Sequence, residues 1–312
     1  MIFNSKDSIS NRVRIICSIF ANYIMSKLLA SNVNSISHSD ITVIGFPDDS
    51  KSDSRRTGSS KGPDILRKVY NESQYFDGPG ERIPILPMSG HLDKKVFDFG
   101  NVSRDDLYKI MHSISSLNKV PITLGGDHSL TSIVLKAISD SINKKVTLLY
   151  FDAHPDFISS KTNFHGSVLF DSFESIDFRK STLVGIRAAE PEEIQNIKNN
   201  NLEVVNPLQI LERGISTVGK SILSKCGTDQ GVYLSIDLDC IDSVMAPGVS
   251  FPTPYGLMPI ELLFLVKMIC SNLRVVGLDI VELCPDYDIN NNTASIGARL
   301  LMEAIASISI RR

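Results

Sequence analysis

Residues 146–156, VTLLYFDAHPD, limit what this chain can fold into more than any other stretch. Residues 146–151 form an apolar run of the length of a fully buried strand. The run ends in two carboxylates and an imidazole at alternate positions. In an extended backbone, residues two apart point to the same side. Asp152, His154 and Asp156 are therefore expected to converge just beyond the strand's end. Buried carboxylates are expensive unless they are paired or bound to a cation. Pro155 keeps the residue before it extended, which suits His154 as a ligand.

The same motif, a short apolar run followed by an amphipathic stretch, recurs from Ile41 onward. Strands are predicted at 41–46, 121–124, 146–151, 182–186, 202–205, 232–238 and 275–281. Helices are predicted at 62–70, 130–142, 191–198, 207–225, 259–270 and 294–308, with another running from a Ser103 cap to Leu117. Asp105 and Asp106 fall in that helix's first turn, where the dipole favours them. Residues 77–98 carry several Pro and Gly and read as irregular surface. Strands that are continuous Val/Ile/Leu runs, alternating with helices, imply a parallel sheet covered on both faces. The expected fold class is α/β, a three-layer α/β/α single domain with a mainly parallel sheet.

With 42% hydrophobic and 21% charged residues in 312, general disorder is excluded. A net charge of -3 spread along the chain leaves no electrostatic footprint for nucleic acid. Five scattered cysteines without a CxxC pair argue for a reducing, cytoplasmic compartment, and against a disulfide frame or zinc ribbon. No run has the length of a membrane span. The nearest, 13–30, is interrupted by Arg14, Asn22 and Lys27, and reads as an amphipathic N-terminal helix rather than a signal peptide. Residues 1–40 are thus expected to be an N-terminal extension or helix, and 41–312 the folded domain.

Four predicted strand ends carry unusual polar residues: His128 after 121–124, the Asp152 group, Asp237 and Asp239 after 232–238, and Glu282 after 275–281. Ligands of such sheets collect at the carboxyl ends of strands. Taken singly, an Asp-x-Asp caps a turn, Gly125-Gly126-Asp127-His128-Ser129 makes a tight strand-to-helix turn, and His165 is a solvated loop residue. Together, so many carboxylates around one spot cannot all ionise without positive charge between them. Two divalent ions about 3.5–4 Å apart, bridged by shared carboxylates, balance that charge. A donor set of oxygens with two imidazoles and no thiolate favours Mn2+ first, then Fe2+, Co2+ or Zn2+.

GGDHS at Gly125, FDAHPD at Phe151, SIDLDCID at Ser235 and GLDIVELCP at Gly277 resemble, in order, the motifs of the ureohydrolase superfamily of arginases, agmatinases and relatives. The resemblance runs from about Ile41 to the C-terminus and implies a catalytic domain with a two-manganese centre. By position it implies that His128, Asp152, Asp156 and Asp237 surround one metal. Asp152, His154, Asp237 and Asp239 would surround the other, with Asp152 and Asp237 shared. Asp156 would relay a proton, His165 would bind substrate or shuttle protons, and Glu282 would hold a guanidinium. An ion pair with a neighbouring arginine is the plainer reading of Glu282. The implied reaction is attack on a guanidinium carbon by water activated between the ions, releasing urea and an amine.

Three features look agmatinase-like: Glu282 followed by Cys284-Pro285-Asp286-Tyr287-Asp288, Ala246-Pro247-Gly248, and Gly185-Ile186-Arg187. Against this, Lys161 lies in the loop 157–164 and invites a substrate carboxylate, as in a guanidino-acid or formimidoylglutamate hydrolase, unless it is simply solvated. Val249-Ser250-Phe251-Pro252 departs from the Gly-Thr-Pro run common in the superfamily. Arginase activity and, from another class, a two-metal phosphoesterase are the remaining alternatives. The expected partner is a small guanidino molecule, not nucleic acid or membrane, and relatives imply a homo-oligomer, trimer or hexamer.

Overall fold

The structure, a computed structural model, describes residues 27–73, 75–78, 81–84, 87–88, 93–227 and 231–310. The strands are β1 (Ile41–Gly45), β2 (Tyr75–Gly78), β3 (Glu81–Pro84), β4 (Val96–Asn101), β5 (Val120–Leu124), β6 (Thr147–Phe151), β7 (Thr182–Val184), β8 (Glu203–Val205), β9 (Val232–Asp237) and β10 (Val275–Val281). The helices are α1 (Gly62–Ser73), α2 (Arg104–Ser116), α3 (Leu130–Ile142), α4 (Val168–Asp171), α5 (Pro191–Asn199), α6 (Pro207–Arg213), α7 (Ile215–Cys226), α8 (Pro259–Asn272) and α9 (Asn292–Ser307). Eight strands form one sheet in the order β4-β1-β5-β10-β9-β6-β7-β8, with every pairing parallel, while β2 and β3 make a separate hairpin.

Successive residues of each central strand feed opposite cores. Val43 and Leu149 pack with α1, α7, α8 and α9 on one face. Ile44, Leu148 and Tyr150 pack with α2 and α3 on the other. Both faces are therefore dry, which is why the runs are continuously apolar rather than alternating. The expected three-layer α/β/α domain is what forms.

Two local readings are corrected. The segment assigned to irregular surface contains the β2–β3 hairpin and the edge strand β4. β4 escaped notice because its inward residue is charged: Asp98 is fully buried and pairs with the equally buried Arg67 of α1. Arg67 Nε and Nη2 each lie 2.9 Å from an Asp98 oxygen, and Leu28 N–H donates to Asp98 at 2.7 Å. The predicted helix at 207–225 is two helices, α6 and α7, split at Gly214 (φ 78, ψ 140). Only glycine adopts that conformation without strain. Of the expected N-terminal extension, residues 1–26, including Cys17 and most of the predicted helix, lie outside the described residues, while Leu28 is buried in the core.

Candidate metal centre

Register brings the strand ends together. Tyr150 of β6 is paired with Ser235 of β9, Ser235 with Asp279 of β10, and Asp279 with Thr123 of β5. These four residues form a buried polar row across the middle of the sheet. Two residues beyond Tyr150 and Ser235 lie Asp152 and Asp237, three beyond Asp279 lies Glu282, and the loop after β5 delivers His128.

The polar row decides the state of His128. Ser235 Oγ gives its only proton to Asp279 Oδ1 at 2.7 Å. His128 Nε2, 2.8 Å from that same Oγ, must then be the donor. A neutral ring therefore presents a bare lone pair at Nδ1. Around Nδ1 lie Asp152 Oδ2 at 3.1 Å, Asp156 Oδ2 at 3.2 Å and Asp237 Oδ2 at 3.3 Å. The Tyr150 hydroxyl is 3.1 Å away, but its proton goes to Asp156 Oδ2 at 2.5 Å. A lone pair facing three carboxylate oxygens is untenable without positive charge, supplied by a proton or by a metal ion.

A second group stands beside the first. His154 Nδ1 is 3.0 Å from Asp239 Oδ2 and 3.5 Å from Asp152 Oδ1. Ligand atoms of His128, Asp152 and Asp156, and likewise those of Asp152, His154 and Asp239, lie within 4.8 Å of one another. Asp152 belongs to both groups. Its Oδ2 is buried with no hydrogen bond among the described residues, although Oδ1 accepts from His154 N–H at 2.6 Å. Asp237 touches the first group through Oδ2 and turns Oδ1 to Asp239 N–H at 2.7 Å. An orphaned carboxylate oxygen, a lone pair without a proton and a hard-oxygen donor set fit divalent cations.

Titration follows the same physics. Burial, then the charges of Asp239 and Asp156, push Asp152 up to about 6. Burial, then the charges of Asp239 and Asp152, raise Asp237 well above the usual carboxylate range. Burial disfavours a charged His154, but the Asp239 and Asp152 carboxylates outweigh it and push the imidazole up to about 12. His128 is likewise raised by Asp152, Asp156 and Asp237 against its burial. Asp239 is held low: burial opposes its charge, but His154, Ala153 N–H and Arg187 overcome that.

One expectation about backbone is corrected. Asp156 does not arrive by simple alternation; its φ is +48°, and Glu282 sits at +65°. Left-handed backbone at non-glycine residues is strained and concentrates at functional sites. It turns Asp156 back toward His128. Glu282 is not paired with an arginine among the described residues. One of its oxygens accepts from His128 N–H at 2.8 Å, the other from Ser250 Oγ, and His165 Nδ1 lies 3.7 Å away. His165 is buried rather than solvated, donates through Nε2 to Asp53 Oδ1 at 2.7 Å, and stacks on Phe251 at 5.6 Å. Burial lowers its basicity, yet Glu282, Asp156 and Asp53 lift it to about 9. Lys161, half-exposed, pairs with Asp53 at 2.7 Å.

Sequence reading missed Tyr150, Ser235, Asp279, Asp53, Glu192 and Glu193. The first three left a trace, a polar group interrupting an apolar strand. Thr131 Oγ1 and Tyr233 OH also donate to Asp279, at 2.7 and 2.6 Å. Glu192 and Glu193, in the first turn of α5, pin the loop after β6: Glu192 accepts from Ser159 N–H at 2.9 Å and Ser160 N–H at 2.8 Å, Glu193 from Phe157 N–H at 3.0 Å. Arg187 binds the backbone carbonyls of Asp239 at 2.8 Å and Thr253 at 2.6 Å, holding the other rim. The result is a cleft of about 600 Å³ with the His–Asp cluster on its floor.

Residues 39–307 match the model of the arginase family. The chain belongs to that family. The family's agmatinase from Proteus mirabilis is 29% identical over 282 residues, 86% of this chain and 87% of that protein, and the agmatinase from Escherichia coli is 30% identical over 281 residues, with the same coverage. The solved agmatine ureohydrolase of Thermoplasma volcanium superposes with a TM-score of 0.75 at 28% identity, covering 90% of this chain and 94% of that one. The arginase of Bacillus subtilis, at 24% identity and a TM-score of 0.73, shares the fold.

Proposed function

We propose that this arginase-family chain is a dinuclear-metal hydrolase that converts agmatine and water to putrescine and urea. The single observation carrying the metal part is the placement of His128 Nδ1 against carboxylate oxygens of Asp152, Asp156 and Asp237, an arrangement that demands a cation. His128, Asp152, Asp156 and Asp237 would hold one ion, and Asp152, His154, Asp237 and Asp239 the other, with Mn2+ favoured by the oxygen-rich donor set. When bound, such a pair makes a nucleophile of water at neutral pH and offsets the acids' charge.

The rest is done by the chain itself. Glu282, fixed by His128 N–H and Ser250 Oγ, accepts charge-assisted hydrogen bonds from a guanidinium. That contact sets the guanidinium carbon above the cluster. Asp156, held by a hydrogen bond from the Tyr150 hydroxyl, takes the proton released as water's oxygen bonds to carbon, and passes it to the departing nitrogen. The carbon–nitrogen bond then breaks, leaving urea and a primary amine. His165, one face on Phe251, orients the substrate and exchanges protons at the rim.

Agmatine is favoured over a guanidino acid because the cleft is lined by Asp53, Glu190 and Glu192, and its one lysine is already neutralised. The four cysteines among the described residues, Cys226, Cys240, Cys270 and Cys284, are all buried free thiols. No helix among the described residues is long and apolar enough to cross a membrane. The free thiols support a reducing, cytoplasmic compartment for a catalytic domain over 41–312. The test is urea release with Mn2+ from agmatine, arginine and guanidinobutyrate, and formamide release from formimidoylglutamate. Highest kcat/KM on agmatine is expected; inactivity on all four refutes the assignment.

A further inference from the structure

Lys161 is the only lysine or arginine lining the cleft among the described residues. Its ammonium lies 2.7 Å from Asp53 Oδ2 and 4.0 Å from the centre of the Phe164 ring. A carboxylate beside an aromatic face is a receptor for an ammonium group. Asp53 also faces inward: its Oδ1 takes a proton from His165 Nε2, whose Nδ1 looks toward Glu282. The Asp53 carboxylate at the rim and the Glu282 carboxylate at the floor are thus separated by one imidazole ring, about the reach of a short alkyl chain.

We infer that Asp53 and the Phe164 ring form the subsite for the primary alkylammonium tail of the substrate, and that Lys161 occupies it as an internal stand-in which the substrate displaces. The inference rests on the proposed guanidine hydrolysis and names the residues that read the far end of the molecule. Displacement is easy for two reasons. Both partners are 55% exposed, and exposed ion pairs contribute little. The backbone on either side of Lys161 is anchored, Ser160 N–H to Glu192 and Asn163 N–H to Asp171 at 2.9 Å, so only one side chain must swing. A carboxylate tail fares worse. It would meet Asp53, Glu190 and Glu192, and the charge of Lys161 is already offset by Asp53.

The two partners of the pair predict opposite effects. With Mn2+-loaded enzyme, kcat/KM is measured for agmatine and for butylguanidine, which has the same chain length and no terminal charge. Lys161→Met, removing the stand-in, raises the agmatine-to-butylguanidine ratio about threefold. Asp53→Asn lowers it about tenfold, and weakens calorimetric binding of 1,4-diaminobutane by a similar factor. If Asp53→Asn slows both guanidines equally, Asp53 serves only His165 and the subsite is wrong. If Lys161→Met selectively impairs guanidinobutyrate, Lys161 binds a carboxylate and the inference is overturned. Should the unaltered enzyme hydrolyse no guanidine, the proposed function fails. The subsite then stands on diamine binding that weakens in Asp53→Asn, and falls if the diamine does not bind.

Discussion

Removing divalent ions from this protein is expected to make its fold progressively less stable as pH rises. Asp152 titrates near 3.8 in an unfolded chain and near 6 in the fold. Across that interval the unfolded chain gives up the proton first, so unfolding becomes easier by about 1.4 kcal/mol per pH unit, about 3 kcal/mol in all. Asp237, also raised, acts in the same direction. His154 extends the trend. With a folded value near 12 against 6.5, its stabilisation is whole below pH 6.5 and is lost progressively above it. Asp239 opposes only at low pH, because a depressed carboxylate loses its contribution as pH falls. Between pH 5 and pH 8 Asp152 gives up about 1 kcal/mol and His154 about 2 kcal/mol. With an unfolding entropy of about 2 cal/mol/K per residue, 1 kcal/mol moves the Tm of 312 residues by about 1.5 °C, so the chelated protein should melt about 5 °C lower at pH 8 than at pH 5. Ions replace the protons that the cluster otherwise needs, so the gain in Tm from added Mn2+ should grow with pH. Thermal melts with and without chelator at pH 5, 6.5 and 8 decide the matter. A chelated Tm that is flat or rises over this range, or a Mn2+ shift equal at pH 5 and pH 8, would refute the charge argument for the centre.

Three other perturbations probe separate parts of the argument. Asp237→Ala should leave fewer than about two ions per chain and reduce kcat/KM at least ~100-fold, as metal analysis of desalted protein and urea release will record together; full turnover in this variant contradicts the ligand assignment. Tyr150→Phe keeps the ring stacked on His128 at 4.7 Å but removes the proton given to Asp156. A fall in kcat of about tenfold with unchanged metal content is expected, and unchanged kcat shows that the hydroxyl orients nothing. Asp98→Asn leaves the buried Arg67 guanidinium only the exposed Asp64 carboxylate, 3.7 Å away, which should lower unfolding free energy in urea by about 3 kcal/mol; a loss under about 1 kcal/mol means the pair does not hold β4 to α1.

The order of layers, most strand and helix positions, and the gathering of His128, Asp152, His154, Asp156, Asp237, Asp239 and Glu282 at one sheet edge were legible in the chain, because periodicity and strand-end position are local properties; His165 entered only through the family resemblance. β4 was not legible: its inward carboxylate, Asp98, is tolerable only because Arg67, far away in sequence, is buried beside it. The split between α6 and α7 was written in Gly214 but outweighed by helical pattern on both sides. At the centre, residue types alone could say that acids this dense require cations. Only the sheet register, which sets Tyr150, Ser235 and Asp279 in one row, determines which nitrogen of His128 is bare and where it points. The left-handed backbone at Asp156, and the capture of Lys161 by Asp53, were likewise decided in three dimensions. The capture depends on two loops meeting at the cleft, and no spacing along the chain encodes which loops those are.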